Sequence, residues 1–376
     1  TQWIAAPTGD LHGQQAYHGR EQIAVNPAFF QRLDGKLDAI NRAGLLGVPV
    51  LLWAATWTAD DAVNSVNPGV SLPEDQAILL ERYMVARWGA NHVAWILNGD
   101  GDYRGEKAER WRRIGRAVFG NRAHAPVLLH PSGMNIPFDE FRDEAWLDII
   151  TYQSGHGDDA ATQRWIWDGP PAQVWRASPT TRPVINVEPP YEDHVAYQSG
   201  ERISAHTMRR ATYWSLLIAP TAGVSYGGHG VWGWDEGTTT PTAHPGTGVP
   251  LPWQKALYLP GAEQFVYLAT LFQSVEWWRL RPAPSLVRHQ PGDADPSRYI
   301  AAARSNANDL AVIYTPVAQP LELDLGAFPA GIAARWFRPE TGVFQPANAA
   351  GSGDQSSFTP PGQGDWVLVL GNPLPA

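Results

Sequence analysis

Short apolar runs alternate with longer stretches of helical spacing over the first three quarters of the chain. The runs Val48–Trp53, Val93–Leu97, Val127–His130, Leu147–Tyr152, Pro183–Glu188 and Gly223–Tyr226 have strand length and almost unbroken apolar character. Strands that are buried on both faces read this way. Between them, Asn26-Pro27 opens a helix as N-cap and first helical residue. Phe29, Phe30, Leu33, Leu37, Ile40 and Ala43 keep its spacing, and Gly44 ends it. A second helix runs from Pro73 to Trp88 with Leu79, Leu80, Tyr83 and Met84 expected inward. Further helices are expected near 107–119, 138–142, 160–167, 204–218 and 261–272, with loops at 1–25 and 237–252. This alternation predicts a parallel sheet covered by helices.

The texture changes after Trp278. Arg298–Ala303, Leu310–Tyr314, Leu321–Leu325, Ala333–Phe337 and Trp366–Leu370 are strand-like runs with turns such as Pro339-Glu340-Thr341-Gly342 between them. Strands without helices predict a small β-sandwich. The expected domains are therefore 1–279 and 280–376. Polar and aromatic residues gather just after the strands of the first domain, where a (β/α)₈ barrel keeps its site. No GxGxxG or phosphate-loop motif occurs, which disfavours a nucleotide-binding sheet. About six strand–helix units are visible, two fewer than a closed barrel has.

Composition narrows the class. A net charge of −9 and the lack of basic clusters argue against nucleic acid. No apolar run reaches the roughly 20 residues of a membrane span. The absence of cysteine excludes thiolate nucleophiles and disulfides and is compatible with a secreted or periplasmic protein. The sequence starts at Thr1 with no methionine or signal-like segment, so an upstream segment is expected to have been removed. The 18 tryptophans matter most. Their flat faces stack on the C–H patches of sugar rings, so some are expected to line a carbohydrate cleft while others fill the core.

Two apolar strands end in carboxylates, Asn98-Gly99-Asp100 and Asn186-Val187-Glu188. Glycoside hydrolysis needs two carboxyl groups flanking the bond, one to protonate the leaving oxygen and one to attack the anomeric carbon or activate water. Asp100 and Glu188 are the expected pair, with Asp102 and Glu192 as neighbouring carboxylates. As a bland alternative, Asn-Gly-Asp-Gly-Asp is strong turn chemistry, and Glu188 could be an ion-pair partner. A calcium loop is disfavoured because Tyr103 stands where that loop needs glycine. His130, His156 and His229 lie after three different strands without metal-ligand spacing, so sugar recognition is expected of them, with no metal and no cofactor. Trp57, Gln153, Tyr226 and Trp232 complete the strand-end residues expected to bind substrate. Ser154 lacks the GxSxG elbow of serine hydrolases.

The segments Trp95–Asp100, Tyr152–His156, Val187–Glu192 and Tyr226–Trp232 resemble the apiosidase-like glycoside hydrolase family. Trp336–Gly342 and Asp365–Leu370 are similar to the C-terminal sandwich, labelled collagen-binding, that its members usually carry. The resemblance implies a (β/α)₈ barrel and a retaining mechanism, with Asp100 as acid/base and Glu188 as nucleophile. It adds Tyr191 and Glu192 as substrate-binding residues. Characterised members release apiose-linked sugars from pectic polysaccharide. The family's opening strand, with its Gly-Asp-Thr-Trp-like motif, and the next strand–helix unit do not precede Asn26, so the barrel is expected to be incomplete at its N-terminus. An open edge exposes unpaired backbone, and residues 1–25 or a second copy of the chain are expected to cover it. The rival functions are a non-catalytic carbohydrate-binding protein on a degenerate barrel and matrix binding through the sandwich.

Overall fold

The computed structural model describes residues 12–55, 67–120, 122–177, 182–241, 244–351 and 356–372. The chain divides into two compact units, 1–153 and 154–376.

In the first unit a two-strand hairpin, β1 (Tyr17–His18) and β2 (Ala24–Val25), precedes α1 (Pro27–Arg42). Asn26 caps α1 by accepting the Ala28 amide, as its Asn-Pro start predicts. Then follow β3 (Val50–Trp53), α2 (Pro68–Ser71), α3 (Glu74–Trp88), β4 (Trp95–Gly99), α4 (Glu106–Val118), β5 (Val127–Leu128), α5 (Phe138–Phe141) and β6 (Ile150–Gln153). β3, β4 and β5 pair in parallel, with Leu52 beside Asn98 and Trp95 beside Val127, and a bridge from Leu128 to Ile149 continues the order towards β6. Phe30, Leu51, Leu80, Met84, Trp95, Leu97, Trp111 and Trp146 share one buried cluster. The inner face of α3 differs from expectation. Leu79 is exposed, while Ala77, Leu80, Glu81, Met84 and Trp88 are buried. The helical period turns a carboxyl inward where leucine was expected.

The hairpin region packs with β3, its Ala16, Tyr17 and Ile23 in the same buried cluster as Leu51 and Leu52. Its hydrogen bonds go to α2 and α3, from Arg20 to the Ser71 carbonyl and from the Ile23 amide to Gln76.

The second unit holds α6 (Ala160–Asp168), α7 (Pro170–Ala177), β7 (Val184–Glu188), α8 (Ala205–Leu217), β8 (Gly223–Val224), α9 (Trp253–Ala256) and α10 (Pro260–Gln273). β7 and β8 are parallel, with Ile185 beside Gly223. The helix α7 was not expected, because its Pro-Pro start reads as a loop. The C-terminal strands are β9 (Arg281–Pro282), β10 (Ala301–Arg304), β11 (Ala311–Thr315), β12 (Leu321–Leu323), β13 (Ala334–Arg338), β14 (Val343–Pro346), β15 (Ser356–Phe358) and β16 (Trp366–Leu370). They form a six-stranded antiparallel sheet in the order β14-β13-β16-β11-β10-β9 and a two-stranded sheet, β12-β15. Both enclose a core that includes Ile300, Ile313, Leu323, Trp336, Phe358 and Trp366. The strands β9, β14 and β15 were missed because their runs are short and interrupted by proline or serine.

The helix α8 is capped by Ser204 and buries every residue from Ala211 to Leu217. A helix apolar all round is covered on more than one side. Here the C-terminal strands supply the second cover. Tyr213 stacks on Tyr314 with centroids 4.6 Å apart and planes 5° from parallel. Arg209 forms a bidentate pair with Asp365, with nitrogen–oxygen distances of 3.0 and 2.7 Å. Tyr314 also donates to Asp365, at 3.2 Å. The side chains of both charges are almost fully buried, at 8% and 3% exposure. Breaking such a pair strands the remaining ion. Asp365→Ala should lower stability by about 3–5 kcal/mol, measured by chemical denaturation. Asp365→Leu combined with Arg209→Met should recover most of that loss.

Candidate active site

In the first unit, Asp100 follows β4 directly. Its φ of 49° is in the left-handed region, which Asp tolerates better than most residues because its short side chain bonds locally. The flanking glycines are required by close packing. A Cβ on Gly99 would lie 2.0 Å from the Trp53 ring, and one on Gly101 would lie 2.2 Å from Asn98 Nδ2. Asn98, fully buried, accepts from the Tyr103 hydroxyl at 2.5 Å. Asn-Gly-Asp-Gly is thus a turn, as its composition suggests, and one that presents a carboxylate at a strand end. The Asp100 amide donates to His130 Nδ1 at 3.4 Å. That nitrogen therefore carries a lone pair. The same nitrogen lies 3.7 Å from Asp100 Oδ1. Trp53 packs 5.9 Å from the His130 ring. Asp102 has another role. Arg104 and Lys107 bind it at 2.9 and 2.8 Å and hold its carboxyl well below the usual range, so it cannot serve as a reserve proton donor near neutral pH.

In the second unit, Glu188 ends β7, and its carboxylate is 2.9 Å from His156 Nε2. The Tyr191 amide donates to His156 Nδ1 at 3.2 Å. The Nδ1 lone pair therefore faces that amide, and the ring proton sits on Nε2, directed at Glu188. The His156 ring is packed against His194, with centroids 4.1 Å apart, and His194 is 5.1 Å from His229. Asn186 lies two residues before Glu188 on the same face of β7. It donates to Ser154 and Ser215 at 3.0 Å each and accepts the Glu188 amide at 3.3 Å. These bonds fix the backbone that carries the carboxylate.

The loops after β7 and β8 remain paired, with the His229 amide on the Glu192 carbonyl at 2.8 Å. The Glu192 carboxylate accepts from the Tyr226 hydroxyl at 2.8 Å and from the Gly261 amide, at the start of α10, at 2.9 Å. Burial raises its pKa, opposed by these two bonds. The Tyr191 ring lies over Gly227, where a Cβ would come within 2.0 Å of it. His229 contacts the Gly248 carbonyl through Nε2 at 3.4 Å, and Trp232 lies 6.4 Å from its ring. His229 Nδ1 and Trp232 Nε1 are buried with no hydrogen-bond partner among the described residues, and so is Gln153 Oε1. Trp57 lies outside the described residues.

Sequence reasoning missed Trp53, His194 and Asn186. Trp53 carried a signal, as the last residue of an apolar strand. Asn186 carried one too, because a polar residue interrupts a buried strand two places before a carboxylate. His194 follows two acids in a loop, and nothing in its spacing marks it as the ring beneath His156.

Strand-end carboxylates with histidine and tryptophan around them are the equipment of a carbohydrate-cleaving enzyme. The family model described as "Apiosidase-like, catalytic domain" matches residues 1–279, and the chain belongs to that family; it is a glycosidase. Residues 282–371 match the model described as "Putative collagen-binding domain of a collagenase". Among solved structures, a glycoside hydrolase family 5 protein from Bacteroides vulgatus ATCC 8482 is similar with a TM-score of 0.78 and 21% identity, over 92% of this chain and 74% of that one. A structure titled "Glycoside hydrolase" gives 0.76 and 21%, over 92% and 77%. A family 30 endoxylanase from Clostridium papyrosolvens C71 gives 0.51 and 12%, over 92% and 84%. These likenesses show the fold, that of TIM-barrel enzymes with a strand-rich C-terminal domain. None of the curated proteins matches the sequence. No helix among the described residues is long and apolar enough to cross a membrane.

The histidine stack predicts an acid-sensitive fold. Burial, reinforced by the neighbouring His156, pushes the His194 imidazole down from its ordinary 6.5 to about 3. The unfolded chain then binds a proton below pH 6.5 that the folded chain refuses until about pH 3. Stability due to this group is present above 6.5 and is lost as the pH falls from 6.5 towards 3. Thermal unfolding of wild type and His194→Asn across that range should show a shallower acid slope in the variant.

Proposed function

We propose that the protein is a retaining glycosidase in which Glu188 is the nucleophile and Asp100 the acid/base. Its proposed substrate is plant-type oligo- or polysaccharide, with apiose-linked pectic side chains as the sugar class that the family suggests. The observation that carries the reading is the hydrogen bond from His156 Nε2 to Glu188, whose direction is set by the Tyr191 amide on the other ring nitrogen. An imidazole N–H donating to a carboxylate favours its ionised form and fixes its plane. A nucleophile needs both.

The reaction follows in two displacements. Glu188 attacks the anomeric carbon while protonated Asp100 gives its proton to the leaving glycosidic oxygen, forming a glycosyl ester and a free alcohol. Water then attacks the same carbon. Asp100, now a carboxylate, takes a proton from that water, and Glu188 leaves unchanged. His130 orients Asp100 through its backbone. Gln153, His229 and Trp232 meet sugar hydroxyls with their unpaired polar atoms, Tyr191 offers a ring face, and the bonded pair Glu192–Tyr226 holds the loop that carries them.

We assign residues 1–279 to the barrel and 280–376 to the sandwich. Support for a barrel open at its N-terminal side comes from β3, which among the described residues pairs with β4 alone. Leu45, Leu46 and Val48 beside it are exposed.

A panel of aryl apiosides, arabinofuranosides, galactosides and glucosides tests the assignment. Glu188→Gln should lower kcat by at least about 10³-fold on whichever is cleaved. Asp100→Asn should lose about 10²–10⁴-fold on poor leaving groups and far less on nitrophenolates, which need no proton. Full activity in Glu188→Gln would exclude it as nucleophile.

A further inference from the structure

A second aromatic-walled cleft lies in the second unit, away from Glu188. It has a volume of about 310 Å³, at the lower end of the range for small-molecule sites. Its lining comes from the end of α6, from α7, from the end of α8, from the segment around β9 and from residues 290–302. Helices of a parallel α/β unit run opposite to its strands. The C-terminal ends of α6 and α8 therefore lie at the end of the sheet remote from the strand end that carries Glu188.

We infer that this cleft is a second, non-catalytic binding site for a neutral sugar unit of a polysaccharide. Trp175 lines it with a half-buried indole, and no ring among the described residues is stacked on that indole. Pro282 and Pro284 also line the cleft and add apolar ring edges. A flat indole and aliphatic edges suit the C–H faces of a sugar ring. The polar groups suit its hydroxyls. Asp168 and Asp293 offer carboxylate acceptors, and Arg176, held to Asp168 at 2.6 Å, offers the rest of its guanidinium fork. Tyr299 lines the cleft, and burial pushes its hydroxyl up to about 12, so it remains a neutral donor.

Charge selects among ligands. Asp168 and Asp293 are matched by Arg176 and by Arg164, which binds the Asp293 carbonyl at 2.9 Å and lies over Trp167. The cleft thus carries no excess positive charge to favour phosphates, nucleotides or uronic acids, and a neutral polyol is the ligand that fits it. The walls are also set before any ligand arrives. Trp167 lies flat on Tyr299, with centroids 4.1 Å apart and planes 3° from parallel, and donates to the Pro296 carbonyl at 3.3 Å. Gln290 is fixed by three backbone bonds at 2.9, 3.2 and 2.8 Å. A site that needs no ordering loses less entropy on binding.

The inference rests on the protein being a carbohydrate-active enzyme, but not on the roles given to Asp100 and Glu188. Affinity electrophoresis of the full chain tests it, in native gels cast with arabinoxylan, arabinan or pectic galactan. Glu188→Gln serves as the background so that the gel is not digested. Retardation is expected in at least one gel. Adding Trp175→Ala should weaken the association by about tenfold, whereas Trp175→Phe, which keeps a flat ring, should retain most of it. In the Glu188-intact enzyme, Trp175→Ala should leave hydrolysis of the small aryl glycoside unchanged, which also reports that the variant folds. Equal retardation with and without Trp175, or no retardation in any gel, would overturn the inference. So would a loss of aryl glycoside hydrolysis in Trp175→Ala that matched the loss of retardation. The Trp175 variants are compared on one common background, and failure of the Glu188 assignment would show instead as clearing of the gel in every lane, so the two assignments fail separately.

Discussion

The hydrogen bond between His156 and Glu188 is the constraint on which the site in the second unit is built. Its 2.9 Å length matters less than its direction. The Tyr191 amide occupies Nδ1, so Nε2 holds the proton. Everything around the pair maintains that arrangement. Asn186 and its two serine hydroxyls pin the strand beneath Glu188. His194, buried and neutral near physiological pH, packs under the His156 ring, and a charged imidazole there would repel any positive charge on its neighbour. The loop beyond β7 is tied to α10 through Glu192, whose carboxylate accepts the Gly261 amide. The bond is thus supported from the strand, from beneath the ring and from the loop.

Much of this was legible in the sequence, for physical reasons that differ by element. Strands buried on both faces leave continuous apolar runs, so β4, β7, β11 and β16 could be placed within about two residues. Helices with capping signals, such as α1 behind Asn26-Pro27, could be placed as well. The pairing of carboxylates with strand ends picked out Asp100 and Glu188. What sequence could not carry was the third dimension of side chains. The inward turn of Glu81 in place of Leu79 depends on how α3 rolls on its sheet. The engagement of Asp102 by Arg104 and Lys107 separates it from Asp100, though the two acids are a residue apart. The hydrogen bond that orients His156 joins residues far apart in the chain.

The C-terminal strands are better described by what they touch than by the collagen-binding label of the family they match. Arg209 and Asp365, Tyr213 and Tyr314, and Trp214 and the Tyr299 carbonyl join α8 to those strands through buried contacts. The same helix packs behind β7 and supplies Ser215 to the Asn186 network. Strands beyond residue 280 therefore back the element that steadies the Glu188 strand. Their attachment also creates the aromatic-walled cleft, which neither part would form alone.

Trapping the reaction midway tests the central claim most directly. A 2-deoxy-2-fluoro glycosyl donor of the cleaved sugar slows the second displacement, so that a retaining enzyme accumulates its glycosyl ester. Peptide mapping by mass spectrometry should then find the sugar mass on the peptide containing Glu188, and nowhere in Glu188→Gln. A label on another carboxylate, or turnover with inversion at the anomeric carbon and no trapped ester, would contradict the account.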